Sequence, residues 1–264
     1  MRLSVLMENT AGCEGAAAEH GLSLYLQTSK HSILFDMGQT DAFAVNAALM
    51  GIDLAGADIA VLSHGHYDHG GGLHRFLQLN DAAPVYLSRH AFGPYYHGTD
   101  KYIGLDAALA DQPRLRFVEG QLQLDDELAL CDCNDQPCTL PIESFGLTTR
   151  TQDGFAPETF RHEQYLLVNE NGRRILVSGC AHKGVVNLVR WFEPDVVIGG
   201  FHMMKLDVQN AADRQKLDAA AQVLLQSNAQ YYTGHCTGDA AFEYLKQTLG
   251  DRLHPIHAGQ TLDI

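Results

Sequence analysis

No apolar run in this sequence is long. The longest, such as Ile59-Ala60-Val61-Leu62 and Val196-Val197-Ile198, fall far short of the roughly 20 residues a membrane-spanning helix needs. Basic residues are scarce: 18 Lys and Arg stand against 32 Asp and Glu, a formal net charge of −14. A surface of that sign repels phosphate backbones, so nucleic acid is not expected as a general partner, though a local basic pocket for a small anion stays open. A Pro/Gly/Ser linker is absent and no strict repeat is found, so a single domain over 1–264 is expected. The start, Met1-Arg2-Leu3-Ser4-Val5-Leu6-Met7-Glu8, turns polar too quickly for a secretory signal. A cytoplasmic location with no membrane partner is the resulting expectation. The six cysteines, Cys13, Cys131, Cys133, Cys138, Cys180 and Cys236, are then expected as reduced thiols.

What is present is an ordinary globular composition, 45% hydrophobic and 19% charged, with an unusual 14 histidines. Short strand-like segments recur at Leu3–Met7, Leu22–Thr28, Ser32–Phe35, Asp58–Ser63, Val85–Ser88, Gln164–Val168, Ile175–Ser178, Val196–Gly199 and Gln230–Thr233. Helical patterns lie between several of them: Thr40 to Met50, Gly70–Leu79, Val185 to Phe192, Asn210–Ser227 and Asp239–Leu249. Alternation of strand and helix in both halves argues for an α/β layered fold. The stretch from about 92 to 159 is less regular and reads as a long insertion or lid.

The most informative segment is Leu62-Ser63-His64-Gly65-His66-Tyr67-Asp68-His69-Gly70-Gly71-Gly72-Leu73. It follows an apolar strand and precedes a helix. Such a turn can point several side chains into one cleft, with His64 and His66 on one metal and Asp68 and His69 on a second metal or a shared water. Imidazole suits zinc, iron, manganese or nickel, and the carboxylate widens the choice towards harder ions. Gly65 and the Gly70-Gly71-Gly72 run permit a tight backbone.

The His64-Gly65-His66-Tyr67-Asp68-His69 element resembles the HxHxDH signature of the metallo-β-lactamase superfamily. Glu19-His20-Gly21-Leu22-Ser23, Ile33-Leu34-Phe35-Asp36-Met37-Gly38-Gln39, Ser178-Gly179-Cys180-Ala181-His182, Gly199-Gly200-Phe201-His202 and Thr233-Gly234-His235-Cys236-Thr237-Gly238 resemble its dihydropterin-ribofuranosylaminobenzene-phosphate synthase-like branch. The resemblance implies a four-layer αβ/βα sandwich with metals at one edge between two sheets. It also implies that distant segments complete the site.

His182 and His235, each just past a strand end, are the favoured additional ligands. His202 is expected near the site, touching substrate, donating a proton or merely supporting a ligand. His162 is held in reserve as a ligand. Many two-metal relatives carry a bridging aspartate after a glycine where this chain has Cys180 after Gly179, so the bridge is missing, is water alone, or involves the Cys180 thiolate. The resemblance places Asp36 beneath the metal loop, where it would orient a histidine. Glu19 and His20 line the cleft or cap a turn, and Cys131, Cys133 and Cys138 read as incidental thiols.

The chemistry expected is hydrolysis of a small anionic ester, phosphoester, thioester or cyclic-amide metabolite by a hydroxide formed on one or two divalent ions, zinc first and manganese or iron as alternatives. Asp68 would position the water and accept its proton, His202 would serve as a second catalytic group, and Lys183 or Lys205 would hold the anion. The rival readings are a non-catalytic metal- or ligand-binding sensor and a di-iron redox enzyme. Self-association into a homo-oligomer is left open.

Overall fold

Two seven-stranded sheets stack face to face, with helices on both outer sides. In the computed structural model, which describes residues 1–264, the first sheet runs Thr261–Asp263, Arg2–Met7, Ser23–Gln27, Ser32–Phe35, Ile59–Val61, Val85–Ser88 and Leu115–Val118. The second runs Leu253–Pro255, Gln230–Thr233, Val196–Ile198, Arg173–Val177, Tyr165–Glu170, Leu128–Cys131 and Gln121–Gln123. Each sheet has three antiparallel pairings on one side and three parallel pairings on the other. The two halves thus share one architecture without a shared sequence.

Strand alternation explains the layering. In Ser32–Phe35, Ile33 and Phe35 join the core between the sheets, while Leu34 joins the core under the helices Ala42–Leu49 and Leu73–Leu79. In the other sheet Ile175 and Val177 face inward, and Leu176 faces the helices Val185–Phe192, Ala211–Gln226 and Asp239–Leu249. Period-two strands therefore fill three hydrophobic layers between four structural ones. This is the αβ/βα sandwich that the sequence suggests.

Irregularity near 92–159 has a different origin from a single insertion. Leu115–Val118, Gln121–Gln123 and Leu128–Cys131 belong to the two large sheets. Gln121–Gln123 is an edge strand with exposed glutamines, which hides its strand character in the sequence. The rest of that stretch includes a separate four-stranded sheet, Gly154–Pro157, Leu147–Thr151, Tyr95–His97 and Lys101–Tyr102, that flanks the site. The closing strands Leu253–Pro255 and Thr261–Asp263 are also unforeseen, being only three residues each. No helix is long and apolar enough to cross a membrane.

Candidate metal centre

The parallel strands of both sheets deliver their carboxyl ends to one edge, where ligand sites of α/β sheets form. Asp36 follows Ser32–Phe35, the His64–His69 turn follows Ile59–Val61, and Cys180 and His182 follow Arg173–Val177. His202 follows Val196–Ile198, and His235 follows Gln230–Thr233. The turn is pressed tightly home. A Cβ on Gly65 would lie 2.1 Å from the Ala91 carbonyl oxygen, so only glycine fits there.

Four of these histidine rings are aimed by a polar neighbour. Buried Asp36 accepts from the Ser63 amide and hydroxyl, both at 2.7 Å, and from Nδ1–H of His69 at 2.7 Å. Ser63 Oγ in turn sits 2.8 Å from His64 Nδ1. One carboxylate therefore fixes two imidazoles with their Nε2 atoms turned to the cleft. Asn9 Oδ1 takes Nδ1–H of His235 at 2.9 Å, again freeing Nε2. Glu158 lies 3.2 Å from His66 Nε2, which leaves Nδ1 as the nitrogen with an unshared pair. Glu163 accepts from the backbone amides of His182 and Lys183 at 2.7 and 3.0 Å, pinning the turn that carries His182.

The result is a set of converging lone pairs. His64, His66 and His182 form one group whose potential ligand atoms lie within 4.8 Å of one another; His64, His69 and Cys180 form a second; Cys180, His235 and Cys236 form a third. His64 and His182 face each other through Nε2 atoms 3.3 Å apart, and His69 and His235 do the same at 3.2 Å. Facing imidazole nitrogens need a proton or a cation between them. Asp68 Oδ2 sits 3.4 Å from His235 Nε2 and 3.8 Å from His69 Nε2, with His20 Nε2 at 3.3 Å.

Electrostatics agrees with cation binding. Burial, helped by neighbouring imidazoles, holds His64 and His182 well below the usual histidine value, so both are neutral donors. Burial opposes charge on His69 too, but Asp36 and Asp68 outweigh it and push its pKa up to about 9; the same two carboxylates favour a cation, which would displace the proton from His69 Nε2. Asp68 is ionised despite its burial because His69, His20 and His235 lower it well below the carboxylate range. Nδ1 of His182 and both ring nitrogens of His202 are buried without a protein partner. Nitrogen donors, one carboxylate and a thiol in this arrangement fit one or two divalent cations.

A cavity of about 210 Å³ opens over the group. His66, Asp68, His182, His202 and His235 line it, and Lys101, Lys205 and His97 stand at its wall. Lys205 Nζ donates to the Phe145 carbonyl at 2.7 Å and lies 3.0 Å from His97 Nε2.

Other sequence expectations resolve differently. Lys183 does not reach the mouth; it is buried and donates to the carbonyls of Asp132 and Glu163 and to Asn134 Oδ1. His162 has both ring nitrogens engaged, Nδ1 accepting from the Gly65 amide at 2.9 Å and Nε2 on Glu158, so none is left for a metal. Glu19 caps a turn, accepting from the amides of Gln39 and Thr40 at 2.8 and 2.9 Å, whereas His20 lines the cleft. Cys131 and Cys133 touch, Sγ to Sγ 3.3 Å, away from the cluster. Asn9, Ser63, Glu158 and Glu163 escaped the sequence reading. Ser63 and Asn9 carried a faint signal at most, each being a polar residue beside a strand end.

Fold and site together define a two-sheet sandwich protein with a candidate metal centre, a cluster of His, Cys and Asp, at the sheet edge. The family model of the metallo-beta-lactamase superfamily matches residues 17–217, and the chain belongs to that superfamily. It is 27% identical over 255 residues to an uncharacterized protein of Methanocaldococcus jannaschii, covering 93% of this chain and 94% of the relative. It is 24% identical over 297 residues to the 7,8-dihydropterin-6-methyl-4-(beta-D-ribofuranosyl)-aminobenzene-5'-phosphate synthase of the same organism, covering 99% and 96%. Among solved structures, a metal-dependent hydrolase of the beta-lactamase superfamily superposes with a TM-score of 0.84 at 26% identity, over 100% of this chain and 99% of that one.

Proposed function

We propose that the protein is a metal-dependent hydrolase acting on a small anionic ester, phosphoester, thioester or cyclic amide. The observation that carries this reading is the convergence of His66, His182, Asp68, His235 and Cys180 on the floor of a cavity, with His64 and His69 buried among them and Lys101 and Lys205 at its wall. His64, His66 and His182 would hold one ion. Asp68, His69 and His235, with Cys180, would hold a second. Zinc suits this nitrogen- and sulphur-rich set best. A divalent cation there supplies a water acidified towards neutrality and stabilises negative charge as it develops on the substrate.

The chain's own groups do the rest. Lys205 and Lys101 hold the substrate's anion by charge and direct it towards the floor. Asp68, kept ionised by its histidine neighbours, accepts a hydrogen bond and orients the attacking water. His202, whose ring nitrogens have no protein partner, donates a proton to the leaving group. A panel of p-nitrophenyl esters and phosphodiesters tests the reading: hydrolysis abolished by chelator and restored by metal is expected, and no turnover of any member by metal-loaded protein counts against it.

Cys180 stands where a bridging aspartate is expected, and its Sγ lies 3.1 Å from His69 Nε2. Burial pushes its thiol pKa up, but a thiol bound to a divalent metal there would release its proton to solvent as the metal takes its place on the sulfur. With Co²⁺ as the bound ion, thiolate charge-transfer absorption is expected in the near ultraviolet and should vanish in Cys180→Ser. A band that survives Cys180→Ser and disappears in Cys236→Ser would move the ligand assignment to Cys236.

A further inference from the structure

The cavity over the metal cluster, at about 210 Å³, is smaller than the roughly 300–1,000 Å³ usual for ligand pockets. A second cavity of about 480 Å³ adjoins it, and His182 and His202 line both. The second is mainly apolar, walled by Phe145, Phe201, Met203 and Leu206 and floored by Ala219 and Ala220 of the helix Ala211–Gln226. Its charged groups, Glu143 and Lys216, neutralise each other at 2.8 Å.

This cavity is built rather than incidental. One wall, the loop from Leu140 to Phe145, is clipped in place by the fully buried Asn187. Its Oδ1 accepts from the amides of Thr139 and Leu140 at 2.8 and 3.0 Å, and its Nδ2 donates to the Leu140 carbonyl at 3.0 Å. A buried amide spent on a loop makes a preformed wall, since its bonds would be costly to break. At the junction of the two cavities stands His202, with both ring nitrogens buried and unpartnered and φ at 54°. One of those nitrogens lies among the possible ligand atoms of Cys180 and His182, and a polar substrate atom at the junction would satisfy the other.

We infer that the substrate is an amphiphile: its anionic, reacting end lies in the metal cavity, its polar link meets His202, and an apolar body fills the second cavity. The inference rests on the hydrolytic reading for the word substrate, but the binding it describes does not. Interaction of the apolar body away from the reacting bond would hold that bond in place.

The test is photolabelling with benzophenone-4-carboxylate, a carboxylate joined to an apolar body, at about 1 mM. The adduct is expected within 140–145, 201–206 or the helix Ala211–Gln226. In Ala219→Trp, a change at an exposed position on the cavity floor, the yield should fall about tenfold with thermal unfolding unchanged. Adducts elsewhere, no adduct, or equal labelling of Ala219→Trp overturn the inference. Chelator-sensitive hydrolysis without the expected label sinks only the apolar subsite. Label in place without hydrolysis sinks only the hydrolytic reading.

Discussion

Asp36→Ala is expected to weaken metal binding by about 10- to 100-fold, the usual cost of removing a group that orients a ligand. Asp36 is fully buried and serves three donors at once: the Ser63 amide, the Ser63 hydroxyl and His69 Nδ1–H. Its loss frees His69 to turn and lets Ser63 release His64, so both donor sets loosen. The same change strands buried donors, with a stability cost of about 3–5 kcal/mol. Asp36→Asn keeps the volume and one acceptor, and should fall between wild type and Asp36→Ala in both respects. Chelator competition measures the metal Kd, and denaturant unfolding of the metal-free proteins measures stability. A metal Kd unchanged in folded Asp36→Ala would show that His69 and His64 are aimed by something else.

Gly199→Ala is expected to damage the fold to a similar extent, through backbone strain instead of lost hydrogen bonds. Gly199 ends the strand Val196–Ile198 at φ 129°, a conformation reserved for glycine, and an added Cβ would lie 1.9 Å from the Ser178 carbonyl oxygen. The clash is with backbone on the neighbouring parallel strand's exit, so no rotamer relieves it. Strain and displacement together put the loss at about 3–5 kcal/mol. The displaced segment carries Cys180 and His182 on one side and His202 on the other, so metal binding should weaken as well. Thermal unfolding within about 2 °C of wild type would contradict the close approach.

The fold was readable where side chains alternate over an apolar core. Ser32–Phe35, Val85–Ser88 and Gln230–Thr233 appear within the bounds that their sequence indicates. The helix Asp239–Leu249, ended by Gly250 at φ 55°, does too. Short or polar edge strands such as Gln121–Gln123 lacked that signature and were invisible. At the site, His64, His66, Asp68 and His69 were legible because four candidate ligands, three His and one Asp, fall within six positions.

His182 and His235 were legible because each follows a strand. Their supports were not. Glu158 and Glu163 lie 92 and 19 residues along the chain from the histidines they serve, and a lone glutamate carries no pattern. Lys183 looked like an anion holder because it neighbours a ligand in sequence; the turn instead buries its side chain against backbone carbonyls. Nearness in sequence gave no direction to the side chain.

Metal content per chain tests the central claim most directly. Protein purified without added metal is compared by elemental analysis with His66→Ala after both are loaded and desalted. The account predicts about two equivalents of divalent metal in the wild type, with a clear loss in the variant because His66 belongs to one of the two donor sets. Wild-type protein that holds no divalent metal after loading, or a content that His66→Ala leaves unchanged, would contradict it.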